Sequence, residues 1–351
     1  FYLPKMSVKS GLNTGFAVGQ SILGQAPRSI SGHVSGWKMI ISASRRTDIP
    51  AFYTPWFMHR IREQFLLARN PFNANQIRNV SLHPDDVDVI VFWTRNPNKL
   101  MRYLPELDEL GHKYYFQYTI TGYPRAIEAA VPKPQVAIKT FVALSDMIGA
   151  DKIVWRYDPV LLSNQVPINE HKRLFSKIAS HLSGKTKRVV ISFSDFYQKT
   201  ERNLNNVEGL NYSDITQDHE KLLELSTYMA DVASKYGMDI KSCAEDVDTA
   251  SVGIEHGKCI DETLIKDVFG VSLSGKKDKG QRDGCGCIKS VDIGMYNTCL
   301  HECSYCYATF NKKSVINNMR KHDINSPFLI GGIEGVDLEL LTSNDAQGNL
   351  F

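Results

Sequence analysis

The chain has 351 residues, 42% apolar and 23% charged, with 41 Lys and Arg against 38 Asp and Glu for a formal charge of +3. This is a globular composition, long enough for one large α/β domain or two smaller ones, and it excludes a fibrous or wholly disordered chain. The nearly balanced charge announces neither a nucleic-acid nor a membrane partner, and no apolar run reaches the roughly 18 residues that a bilayer span needs.

Residues 1–38 are rich in Gly, Ser, Gln and Asn, with neither helical nor strand periodicity nor the compact apolar block of a secretory signal. They read as a disordered extension or an artefact of the gene boundary, and the protein as cytoplasmic. From Met39 onward, apolar runs alternate with amphipathic stretches. The expected buried strands are "MIISAS" (39–44), "VDVIVFWT" (87–94), "KYYFQYTI" (113–120), "KIVWRY" (152–157), "RVVISFS" (188–194), "GMDIKS" (237–242) and "SVDIGMY" (290–296). Helical patterns lie between most of them, in "TPWFMHRIREQFLLARN", "PQVAIKTFVALSDMIG", "NEHKRLFSKIASHLSG" and "DHEKLLELSTYMADVASKYG". Such alternation predicts parallel βαβ units, and seven strands approach a complete or partial (β/α)8 TIM-like barrel more naturally than an open doubly wound sheet. The expected barrel domain covers residues 39–325, and residues 326–351 form a C-terminal tail.

Polar residues follow these strands, at the end where a barrel carries its chemistry. They are Arg45, Arg46 and Asp48; Trp93, Arg95 and Asn96; Thr119, Thr121 and Tyr123; Arg156 and Asp158; Ser192, Ser194 and Asp195; and Cys243, Glu245 and Asp246. Asp and Ser at such points commonly cap the next helix. Capping does not call for arginine, however, and converging guanidinium forks suit a carboxylate or phosphate ligand. Arg46, Asp48, Arg95, Arg156 and Asp158 are therefore the candidate catalytic residues.

All seven cysteines lie in the last third of the chain, and their odd number argues against a disulfide framework. Cys299, Cys303 and Cys306 form a C-x3-C-x2-C triplet, whose soft thiolates suit three irons of a 4Fe–4S cluster and leave the fourth open to a ligand. Zinc, with His301 or Cys287 as fourth ligand, is the alternative. Cys243, Cys259, Cys285 and Cys287 are enough for a second 4Fe–4S cluster, a zinc site, or simply small buried side chains. Other signals are weaker. "SGKT" (183–186) precedes a strand and reads as a turn, and "GKKDKGQRDG" (275–284) reads as a solvated connector whose lysines could touch a nucleic-acid backbone.

The triplet with its aromatic, Cys299, Cys303, Tyr305 and Cys306, resembles the motif of radical S-adenosylmethionine (SAM) enzymes. The wider stretch from Asn297 through His301 to Tyr307 and Ala308, together with "WRYDPV", is similar to the spore photoproduct lyase-like members. From "MIISASRRTDIPAFY" through "FQYTITGY" to "CGCIKSVDIGMYNTCLHECSYCYA", nearly the full chain resembles the bacterial family DUF1848, a domain of unknown function. The radical SAM resemblance implies that SAM chelates the open iron, that the reduced cluster cleaves it, and that the 5′-deoxyadenosyl radical takes hydrogen from a substrate. It implies an electron donor such as ferredoxin or flavodoxin, and places Asn297, Tyr305 and Tyr307 against the cofactor. The triplet follows the last strand instead of the first, which a circular permutation reconciles: "SVDIGMY" becomes the usual first strand, "KKSVINNMRKH" its helix and "MIISAS" the next strand. The substrate, a small molecule or a nucleic acid, is not specified by these motifs. A nucleic-acid-binding protein with a structural iron–sulfur or zinc site is the rival class.

Overall fold

The computed structural model describes residues 38–73, 75–243, 247–278, 280–282, 284–334 and 336. The expected extension up to residue 37, Glu245, Asp246 and most of the expected tail lie outside the described residues. In chain order the elements are β1 (Met39–Ala43), α1 (Ile49–Phe52), α2 (Thr54–Glu63), β2 (Phe65–Arg69), β3 (Ile77–Ser81), β4 (Val87–Thr94), α3 (Asn98–Met101), α4 (Leu104–Glu109), β5 (Tyr114–Thr119), α5 (Pro134–Ile148), β6 (Ile153–Val160), α6 (Ile168–Leu182), β7 (Arg188–Phe193), α7 (Gln198–Asn205), α8 (His219–Lys235), β8 (Asp239–Cys243), β9 (Glu255–Gly257), α9 (Glu262–Phe269), β10 (Val291–Asp292) and α10 (Lys312–Met319). No described helix is long and apolar enough to cross a membrane.

Eight strands form one parallel sheet in the order β10, β1, β4, β5, β6, β7, β8, β9. The sequence anticipates this α/β class because the central strands are near-continuous apolar runs, as burial on both faces requires; β4 is buried at seven of its eight positions. A complete barrel is not formed among the described residues, since β9 and β10 are edges that do not pair with each other. The reason is their length: three and two residues make too short a ladder to close the sheet. Side chains alternate across the sheet. Ile41, Ile90, Phe92, Phe116, Trp155 and Ile191 pack with α2, α5, α6 and α8, while Ile40, Val89, Val91, Tyr115, Val154 and Val190 pack with α9 and residues 259–288. The face that a closed barrel would fill with its own side chains is thus covered by the segment leading to β10.

Two local expectations change. The helix beginning at Thr54 stops at Glu63 because Gln64 turns left-handed (φ 63°) and its N–H caps on Ile61 O. "FLLAR" then pairs antiparallel with Ile77–Ser81 as a hairpin; a short apolar run does not separate helix from strand by periodicity. At the other end, Trp56 Nε1 donates to Ser326 O and Leu67 N to Pro327 O, both at 2.9 Å, and Phe328, Leu329 and Ile330 are buried. The packed body therefore runs past residue 325.

Two buried histidines make stability pH-dependent. His171, on α6, sits 2.9 Å from the Tyr157 hydroxyl and 3.1 Å from Leu161 O, and burial lowers its pKa to about 4; burial likewise takes His112 down to about 4. Above about pH 6.5 both native and unfolded chains keep these rings neutral; between about 6.5 and 4 the unfolded chain takes up protons that the native state refuses, so stability falls with pH. Urea titrations should show the unfolding free energy falling as pH drops across that window, by up to about 1.4 kcal/mol per pH unit per histidine. His171→Gln should flatten the drop; an unchanged slope would rule out His171 as a source.

Candidate functional site

The loop after β10 carries the cysteine triplet, and it is fastened on every side. Asp292, a charge inside an otherwise apolar edge strand, accepts from the Ser42 (2.9 Å) and Ser44 (2.7 Å) hydroxyls and from the N–H groups of Arg45 (2.9 Å) and Gly294 (3.0 Å). A Cβ on Gly294 would fall 1.9 Å from Ser44 Oγ, so only glycine permits this closeness. Asn297, left-handed at φ 59°, closes the loop base: its N–H donates to Ala308 O (2.9 Å), its Oδ1 accepts from Phe310 N (2.5 Å), and its carbonyl accepts from Asn318 on α10 (3.0 Å). The opposite edge runs antiparallel to residues 127–130, with Ser304 N bonded to Ile127 O (2.9 Å), Ala130 N to His301 O (3.1 Å), and Cys303 bridged to Glu128.

Beneath the loop, the Asp48 carboxylate accepts four bonds: from Ala51 N (2.9 Å), the Thr94 hydroxyl (2.8 Å), Arg95 N (2.7 Å) and His301 Nε2 (2.7 Å). A ring nitrogen facing a carboxylate at that distance carries the proton. Asp48, a candidate catalytic residue by sequence, has both oxygens engaged by these four donors. His301, an alternative zinc ligand by sequence, turns its Nε2 toward Asp48, while its buried Nδ1 has no hydrogen-bond partner.

Arg95 is buried and pairs with Glu128, Nη1 to Oε1 at 2.9 Å. The Tyr305 hydroxyl donates to Glu128 and accepts from Arg95, and the Thr121 hydroxyl donates to Glu128 at 2.5 Å. Burial disfavours the Arg95 charge, yet Glu128, Tyr305 and Cys303 more than compensate, raising its pKa. Tyr305 thus anchors the loop. Tyr307 is exposed, and its hydroxyl donates to Arg45 O at 2.9 Å. Nothing in its local pattern singles out Glu128, which lies in the aperiodic stretch "YPRAIEAAVPKP"; Asp292 has a signal, a carboxylate within an apolar strand.

The remaining arginines gather on Trp93: the Arg45 guanidinium lies 4.9 Å and the Arg156 guanidinium 5.2 Å from its ring centre. Arg156 pairs with Asp158, which also accepts from the Ser192 hydroxyl. Burial pushes the Asp158 carboxyl up, but Arg156 and Ser192 hold it below the usual range. Arg46, half-buried, makes only a 3.9 Å ionic contact with Asp292 through its side chain and lies over Tyr296 at 5.3 Å. Arg45 Nη2 is buried with no partner. Arg95 therefore stands with the triplet, and Arg156 with the upstream cysteines, donating to Cys259 Sγ at 2.8 Å.

The thiols fall into two groups. Burial pushes Cys303 up to about 12, Arg95 pulling the other way and Glu128 and Cys306 adding to the rise. Burial, Asp48, Cys306 and Cys303 push Cys299 well above its ordinary value. Upstream, Cys243 and Cys259 have sulfurs 2.9 Å apart, and hydrogen bonds from Cys259 and Cys285 draw Cys287 strongly toward the thiolate. Among the described residues, no group of three or more His, Cys, Asp or Glu side chains is arranged to hold a metal ion as it stands.

Residues 40–308 match the family model "Domain of unknown function (DUF1848)", and the chain belongs to that family. No curated protein matches it. Among solved structures, it is similar to a "putative alpha-L-fucosidase" from Bacteroides thetaiotaomicron at 14% identity, covering 48% of this chain and 67% of that one, with a TM-score of 0.24.

Removing the charge of Glu128 while keeping its shape tests the anchor. Glu128→Gln leaves the Arg95 guanidinium buried without its counter-charge and should cost about 3 kcal/mol of stability in urea unfolding, partly recovered by adding Arg95→Met. A loss below about 0.5 kcal/mol would show that the pair is solvated and does not anchor the loop.

Proposed function

We propose that this DUF1848 member is a redox enzyme of the radical SAM kind, in which Cys299, Cys303 and Cys306 hold a 4Fe–4S cluster with one iron open to SAM. The observation that carries this proposal is a loop of three thiols, fastened at its base by Asn297 and along its edge by residues 127–130, beside the C-terminal ends of β1 and β4. The donor set fits such a group: three soft sulfurs on one loop, whose negative forms repel one another until a cation joins them. When bound, the cluster supplies the electron that cleaves the sulfonium of SAM.

The chain's own residues do the rest. Asp48 and the Arg95–Glu128–Tyr305 network hold the loop against the sheet, so its backbone is fixed in place and only the three thiols need turn to meet a metal. Arg46, whose side chain makes only a 3.9 Å ionic contact with Asp292, keeps guanidinium donors unspent and suits the carboxylate of SAM or an anionic substrate. Tyr307 ties the loop to the turn after β1 through its hydroxyl on Arg45 O. A one-electron donor such as a ferredoxin or flavodoxin completes the proposal, as does a substrate bearing a carboxylate or phosphate.

The triple variant Cys299→Ala, Cys303→Ala, Cys306→Ala, reconstituted anaerobically, should lose about four irons per chain and form no 5′-deoxyadenosine from SAM under dithionite. Iron content and product equal to those of the unaltered chain would end the proposal.

A further inference from the structure

The other four cysteines come from separate places in the chain: Cys243 ends β8, Cys259 follows β9, and Cys285 and Cys287 precede β10. They nevertheless meet in one layer of the core, against the side of the sheet lined by Ile40, Val89, Val91 and Tyr115. Cys243 and Cys259 touch at 2.9 Å, and the Cys287 thiol interacts with its neighbours Cys259 and Cys285. A lone buried cysteine is an ordinary small hydrophobe. Four linked one to the next, from Cys243 through Cys259 and Cys287 to Cys285, are more than packing asks for, and their surroundings suit negative sulfur. Arg156 Nη1 donates to Cys259 Sγ at 2.8 Å and Ile260 N to Cys287 Sγ at 3.4 Å. The Cys259 backbone is itself fixed, its carbonyl accepting from the Tyr115 hydroxyl and from Gln117 Nε2, both at 2.7 Å. Close by, the buried Nη2 of Arg45 is a cationic donor with no acceptor.

We propose that Cys243, Cys259, Cys285 and Cys287 form a mononuclear tetrathiolate site for zinc, separate from the triplet. Compactness selects one ion over a cubane. Thiolates placed tetrahedrally about 2.3 Å from zinc stand about 3.8 Å apart. The 2.9 Å contact between Cys243 and Cys259 must open by only about 1 Å to reach that spacing. Four thiolates on the four irons of a cubane stand farther apart still, so the second 4Fe–4S cluster anticipated from the cysteine count fits less well. Charge agrees in sign: a divalent ion with four thiolates carries a net charge of about −2, and it would lie against the Arg45 guanidinium and against Arg156, which is shared with Asp158. Ligation displaces the four thiol protons, one per sulfur, to solvent. The bound ion would join β8 to the 259–288 segment where β9 is too short to do so. It is a closed structural site, with no position left for a substrate.

Metal content of the full chain, expressed with zinc and purified without chelators, is the deciding measurement. About one zinc per chain is expected, retained by the Cys299/Cys303/Cys306→Ala variant and lost by Cys259→Ser, Cys287→Ser. Should the double variant misfold, the unaltered chain provides its own readout: cobalt(II) substituted for zinc should give the intense visible bands of tetrahedral cobalt thiolate. Folded chain with neither retained zinc nor cobalt bands would overturn the site, as would a metal-free Cys243–Cys259 disulfide in the purified protein. About four irons and four sulfides persisting in the triplet variant would replace it with the cubane. Zinc retained alongside a failed 5′-deoxyadenosine assay would leave this site standing and remove only the proposed function.

Discussion

The Asp48 carboxylate joins parts of this protein that lie far apart along the chain. It begins α1 through Ala51 N, receives the end of β4 through Thr94 and Arg95 N, and holds the C-terminal cysteine loop through His301. Its partners span residues 51–301. Buried acceptors are costly when unmet and firm when every lone pair is used, so this one group makes the position of the cysteine loop a property of the sheet. Asp292 does the same from the other direction, binding β10 to the turn after β1.

Around these carboxylates the fold solves a charge problem. Arg95 and Arg156 are buried, as is the Nη2 end of Arg45, and each guanidinium has an apolar or anionic neighbour to offset its desolvation: Glu128 for Arg95, Asp158 for Arg156, and the Trp93 ring for both Arg45 and Arg156. Sulfur lies on both sides of this cationic layer, with Cys303 near Arg95 and Cys259 against Arg156. Soft anions and fixed guanidiniums stabilise one another most where water is excluded.

Much of the scaffold is legible in the sequence. Runs such as "VDVIVFWT" are strands because burial on both faces leaves no polar alternation to read, and "PQVAIKTFVALSDMI" is a helix because its apolar residues repeat with the helical period. The rim positions of Arg45 and Arg95 follow from the same reasoning, since each stands just after the end of a parallel strand; Arg156 instead lies inside β6, which continues past the expected end at residue 157 to Val160. Less visible was "FLLAR", too short for its period to decide, and Glu128, whose partner Arg95 is brought to it only by strand pairing.

The sequence by itself determined the α/β alternation, the clustering of every cysteine late in the chain, and the separation of a triplet from the remaining four, because these depend on periodicity and spacing along one dimension. Tertiary structure alone decided that the sheet stays open, that Asp48 is consumed in holding His301, and that Cys243 and Cys259 come within 2.9 Å. Those outcomes depend on which atoms meet across long stretches of chain and on whether two short edge strands can find each other, and such contacts are settled by packing and hydrogen-bond satisfaction, not by local pattern.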